Sequence, residues 1–96
     1  MYASLSTFNL GPGMRPAGEK LADQAAQLIK NLKGFKEATF FADSEVGEYM
    51  SLIIWESKED ADAAQAIMAP KTQEAAGSIL KAPPTRKVFE VYKPKS

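Results

Sequence analysis

Apolar and polar positions alternate along four short stretches of this chain and recur every three or four residues along two longer ones. Tyr2 to Leu10 sets Ala3, Leu5 and Thr7 against Tyr2, Ser4, Ser6 and Phe8, a strand pattern that Gly11, Pro12 and Gly13 end. A helix is predicted from there to about Leu32. Pro16 suits its first turn, and Leu21, Ala25, Leu28, Ile29 and Leu32 form a one-sided apolar stripe. Gly34 stops it where a left-handed residue is wanted. Phe35 to Ala42 is the second strand, with Ala38 and Phe40 on one face and Thr39 and Phe41 on the other. The polar run from Asp43 to Gly47 then turns the chain into an antiparallel hairpin. Thr85 to Tyr92 is the last strand, after the stiff Ala82-Pro83-Pro84 linker and before Pro94.

The third strand, Tyr49 to Trp55, is the one around which the others are arranged. Tyr49, Ser51, Ile53 and Trp55 point one way, and Met50, Leu52 and Ile54 the other. A strand apolar on both faces is central and covered on each side. Ser57 with Asp60 three residues later opens a second helix as a capping-box pattern, and Glu59, Asp60 and Asp62 complement its dipole. That helix is expected to run to about Ala69, where Pro70 stops or kinks it. Pro70 would then begin a further short helix turning Ala75, Ala76, Ile79 and Leu80 inward.

The order β-α-β-β-α-β predicts a single α+β, ferredoxin-like domain over residues 1–96, an antiparallel sheet with both helices on one face. The opposite face would carry Met50, Leu52 and Ile54 uncovered. Burying each is favourable by roughly 1.5–3 kcal/mol, more than exposed charges contribute. A homodimer joined through the sheet face is therefore expected.

Composition narrows the chemistry. Twelve basic and twelve acidic residues cancel, so no electrostatic footprint for nucleic acid or an anionic membrane is present. There is no Cys and no His. Thiol nucleophiles, thiolate or imidazole metal sites, Ser-His-Asp hydrolysis and a proximal haem histidine are all excluded. No flavin or haem site with recognisable ligands stands out, and the expected cofactor is none. No apolar run approaches the ~20 residues of a membrane span, and Met1 leads straight into a strand, so a cytoplasmic, unprocessed protein is expected.

Few residue groups suggest chemistry. Gly11 and Gly13 read as turn glycines, because Pro12 removes a donor that a phosphate loop would need. Glu59, Asp60 and Asp62 read as a helix start, with no metal site. Lys81, Arg86 and Lys87 form a basic cluster that is either a solvated rim or steers an anion. Trp55 carries two readings: a core aromatic, or a pocket wall on which a flat ligand stacks, with Tyr49 and Ser51 adding hydroxyls to the same face.

The segments IIWESKEDADAA, GFKEATFFAD and RKVFEVYKP together resemble the antibiotic biosynthesis monooxygenase-like domains, nearly end to end from Met1 to Pro94. The resemblance implies a ferredoxin-like chain whose sheet pairs with a second copy into a dimeric α+β barrel. Some members oxidise phenolic or anthrone-like polycycles with O2 and no cofactor; others cleave haem. Trp55 matches the family's strand-end Trp. The polycycle oxygenases have Asn four residues earlier, where this chain has Ser51, and an Arg beyond the helix proline, where it has Ala75 and Ala76. Asn9 does not fall in register with the Asn that haem-cleaving members carry in their first strand, and without His haem cleavage is not expected. Two functions follow. One is a cofactor-free monooxygenase of a small aromatic or phenolic substrate in the cleft between sheet and helices. Trp55 would orient the ring, and Ser51 and Tyr49 would bond its oxygens. The other is a non-catalytic dimeric barrel that binds a small apolar metabolite or is purely structural.

Overall fold

Tyr2 and Trp55 stand opposite one another on the two central strands, and each pair along them follows in antiparallel register down to Asn9 and Glu48. The computed structural model describes residues 1–94. Its elements are β1 (Tyr2–Asn9), α1 (Arg15–Ile29), β2 (Phe35–Asp43), β3 (Glu48–Trp55), α2 (Lys58–Ala76) and β4 (Thr85–Glu90). They build one antiparallel sheet in the order β2-β3-β1-β4, the ferredoxin-like arrangement that the element order predicted. No helix among the described residues is long and apolar enough to cross a membrane.

Strand alternation assigns the two faces. Ile53 and Trp55 turn towards the helices and are buried with Ile29, Ala61 and Ala64; Leu32, Phe35, Ala38, Phe40 and Met68 pack around that cluster. Small alanines on the inward side of α2 let its backbone lie close to the aromatic residues of the sheet. The other face is apolar and unfinished. Leu5, Leu52 and Ile54 are only half-buried, while Phe41 and Phe89 are 47% and 48% exposed.

Three boundaries differ from expectation by more than one residue. Helix α2 runs unbroken through Pro70 to Ala76, so there is no separate helix starting at the proline. Pro70 cannot donate to the carbonyl four residues back, on Ala66, but both residues are exposed and water can satisfy that oxygen. Ala61 and Ala64 before it pack in the core against the sheet, and Ala76 after it is buried as well. Helix α1 ends at Ile29, short of Leu32, because the next bond is a tighter turn in which Leu32 N–H donates to the Ile29 carbonyl at 3.0 Å. Strand β4 ends at Glu90, although Val91 N–H still donates to the Met1 carbonyl at 2.9 Å.

Helix α2 begins as its sequence suggested, with Ser57 Oγ accepting from the Asp60 N–H at 3.1 Å. Gly47 closes the β2–β3 turn with a φ of +75°, and its carbonyl accepts from the Leu10 N–H at 2.8 Å. A Cβ there would fall on the backbone carbonyl of Gly11. Gly13 is also left-handed, at φ +80°, but faces open space. Gly13→Ala should therefore lower stability by about 1 kcal/mol, the strain term alone. Gly47→Ala adds a backbone collision and should lower it by about 3 kcal/mol. Urea unfolding midpoints measure both, and equal losses would contradict this account.

Candidate functional site

On the helix-facing side of the sheet, cross-strand partners line up in rows. Trp55 lies between Phe35 of β2 and Tyr2 of β1; two residues along, Ile53 lies between Ala38 and Ser4. The next row runs across all four strands as Phe40, Ser51, Ser6 and Arg86. The last holds Ala42, Tyr49 and Phe8. Packing changes along this series. The Trp55 and Ile53 rows pack into the core, and Trp55, Ile53 and Ser4 also border a cavity of about 930 Å³, partly open to solvent, whose floor continues along the Ser51 and Tyr49 rows. Its walls are α1, through residues such as Gly18, Leu21 and Ala25, and α2, through residues such as Ala64 and Met68.

Trp55 is a core aromatic by its surroundings. It is 1% exposed, its indole N–H donates to Ser4 Oγ at 3.1 Å, and the Phe35 ring meets it edge-on at 6.0 Å. It also lines the cavity, as do Ser51 and Tyr49, so the three residues singled out in the sequence border one cavity. Ser51 is buried at 8% exposure. Tyr49 differs from both: its hydroxyl is buried without any hydrogen-bond partner among the described residues. Its ring lies against Gly18 of α1, where a Cβ would collide with the ring's hydroxyl-bearing end. Glycine inside a helix costs about 1 kcal/mol relative to alanine, and here it makes room for the tyrosine.

Sequence reading missed Ser6, Phe40, Gly18 and Arg86 as parts of this site. Ser6 and Phe40 were assigned to their faces correctly, but only strand order shows that they flank Ser51. Gly18 carried a signal in its position, in the first turn of a helix where no left-handed backbone or turn calls for glycine.

Charge around the cavity is mostly positive. Arg15, Glu19, Lys71 and Arg86 contribute to its lining, and Arg15 Nε pairs with Glu19 at 2.8 Å on the exposed start of α1. Arg86 Nη2 donates to the Ala61 carbonyl at 3.2 Å and to Asp62 Oδ1 at 3.3 Å, clipping β4 to the first turns of α2. Lys58, hydrogen-bonded to Asp62 at 2.8 Å, holds that exposed carboxyl below the usual carboxylate range, and Arg86 adds to the effect. Among the described residues, Asp and Glu side chains form no group that could hold a metal ion.

No protein-family model and no curated protein sequence matches this chain. Solved structures do match, over nearly its whole length. The ActVA-Orf6 monooxygenase of Streptomyces coelicolor, in complex with nanaomycin D, is 21% identical, with 99% of this chain and 90% of that one covered at a TM-score of 0.74. SnoaB of Streptomyces nogalater, a cofactor-independent oxygenase, is 14% identical over 97% of this chain and 94% of its own, at 0.77. A Nitrosomonas europaea protein provisionally named an antibiotic biosynthesis monooxygenase is 8% identical over 99% and 93%, at 0.82. The chain has the fold of the antibiotic biosynthesis monooxygenase domain proteins, as the three sequence segments implied.

Ser4→Ala strips the buried Trp55 N–H of its acceptor and should destabilise the protein by about 1–3 kcal/mol. The change is read from thermal unfolding followed by the fluorescence of this single tryptophan. An unchanged melting temperature would mean that the indole finds another partner.

Proposed function

We propose that this chain is a cofactor-independent monooxygenase that oxidises a small phenolic or anthrone-like aromatic in the cleft between α1 and α2. The observation that carries the reading is the Tyr49 hydroxyl, buried without a partner among the described residues in a side chain that lines the cavity. An orphaned buried hydroxyl is unfavourable in the empty protein, and a ligand oxygen would relieve it. The cavity's size suits a flat polycycle, since ligand sites commonly span about 300–1,000 Å³. Its floor combines the rings of Phe8, Phe40 and Tyr49 with the hydroxyls of Ser6 and Ser51. The kinship in fold with SnoaB and ActVA-Orf6 supports the same chemistry.

In this reaction the protein supplies position and the substrate supplies electrons. An acidic anthrone CH2 loses a proton, and the carbanion passes electrons to O2 and forms a C–O bond. The resulting hydroperoxide expels water and leaves a carbonyl. One oxygen atom enters the product, and the other leaves as water with two hydrogens. Ser51 and Tyr49 would hold the substrate oxygens, and Trp55 would back the ring. With no His in the chain, the proton's first acceptor is solvent, a Tyr or a Lys.

The same reading pairs two copies through the outer sheet face, where Leu52, Ile54, Phe41 and Phe89 lie incompletely covered. Light scattering at micromolar concentration should return twice the chain mass. Leu52→Glu should yield monomer or aggregate, because a dimer would bury the new charge unpaired.

Oxygen uptake with an anthrone and no added cofactor is the direct test, with one O2 consumed per quinone formed. Tyr49→Phe sharpens it, since removing an unpaired buried hydroxyl should leave the melting temperature unchanged or raised. The same variant should bind a phenolic ligand about threefold to tenfold more weakly. Binding without oxygen uptake would make the protein a binding module. Neither binding nor uptake would leave the barrel structural.

A further inference from the structure

Lys81, Arg86 and Lys87 look like one basic cluster in sequence, but the fold separates them. Lys87 pairs with Leu5 and so shares the outer face, whereas Arg86 pairs with Ser6 and turns inward. Lys81 lies beyond the sheet, its side chain against Gly11. Arg86 is thus the one member placed at the end of the Phe40–Ser51–Ser6 row, and all four side chains of that row line the cavity.

A structural clip would account for part of this arginine. Its Nη2 holds the Ala61 carbonyl and Asp62, but Nε and Nη1 have no partner among the described residues. Asp62 is a shared and weak claimant: it lies 3.3 Å from Arg86, 2.8 Å from Lys58, and its side chain is 48% exposed. The arginine side chain as a whole is about three-quarters covered, at 24% exposure. A guanidinium with two of its three nitrogens unpartnered at the edge of an apolar cavity suits a carboxylate, held by single charge-assisted N–H bonds from Nε or Nη1 and bidentately once Asp62 gives up Nη2. The other charged lining groups do not oppose it, since Glu19 is tied to Arg15 and Lys71 adds positive charge.

We propose that Arg86 is the anion-binding residue of this cleft, and that the molecule the cleft takes is a flat aromatic bearing a carboxylate as well as a phenolic oxygen. The carboxylate lies on the arginine, the ring over the serines and Phe40, and the phenolic oxygen towards Tyr49. The assignment rests on the cleft being the ligand site, and it adds the ligand's charge, which the neutral anthrone chemistry above leaves open.

The test compares a hydroxynaphthoate with its neutral carboxamide counterpart by titration calorimetry, in the wild type and in variants. Wild type should prefer the carboxylate by about tenfold, the usual worth of a charge-assisted bond. Arg86→Gln should abolish that preference, and Arg86→Lys should keep part of it. Because Arg86→Gln also cuts the clip to α2 and can unfold the chain, Asp62→Asn is measured alongside. It frees the guanidinium and should tighten carboxylate binding, and unchanged or weaker binding would overturn the assignment. Equal affinity for both probes in wild type, or a preference that survives Arg86→Gln, sinks the role of Arg86 but leaves the cleft as a ligand site. If neither probe binds, both readings fall together.

Discussion

One buried hydrogen bond, from the Trp55 indole to the Ser4 hydroxyl, fixes how the two central strands must lie. The residue directly opposite Trp55 is Tyr2, so the indole reaches diagonally to the next inward position of β1. Slipping β1 by one residue would send Ser4 to the outer face and bring Ala3 or Leu5 inward. The largest side chain in the core would then keep an unsatisfied donor. Apolar burial alone does not forbid that slip, because β1 carries apolar residues on both faces. The polar atom of an otherwise apolar side chain therefore selects the register, and the register in turn creates the Phe40–Ser51–Ser6–Arg86 row.

From that row the division of the sheet follows. Towards Trp55 the inner face is filled with Ile29, Ala61 and Ala64, a closed core. Towards Tyr49 the side chains are large on the sheet and small on the helix, with Gly18 against the tyrosine ring. The same face thus does two jobs over eight residues of β3, holding the helices at one end and leaving space at the other.

The fold was legible in the sequence because its signals were local and agreed with one another: alternation in the strands, a stripe in α1, Ser57 before α2, and Gly34 and Gly47 at turns. Pro70 misled because a proline's local penalty is fixed, whereas the packing of Ala61, Ala64 and Ala76 that offsets it lies on neighbouring turns and is seen only in three dimensions. The site was half legible. Tyr49, Ser51 and Trp55 share a strand, so one alternation pattern located all three. Ser6, Phe40 and Arg86 come from three other strands, and their meeting depends on the order β2-β3-β1-β4, which no single segment encodes. Trp55 itself was legible as a residue of consequence, but its hydrogen bond depended on a partner 51 positions away.

Gly11 and Gly47 lie in different loops, yet the missing side chain of one is the space that the other's backbone occupies. In a lineage carrying this fold, the two positions cannot drift independently. A residue with a side chain at Gly47 is admissible only after the chain around Gly11 has been rerouted, and rerouting it disturbs the Leu10 bond to the Gly47 carbonyl. The substitution that begins such a change is harmful until the second arrives. Where a relative carries a side chain at the Gly47 position, its Gly11 loop should differ as well, and such a paired change would mark a branch that crossed this barrier.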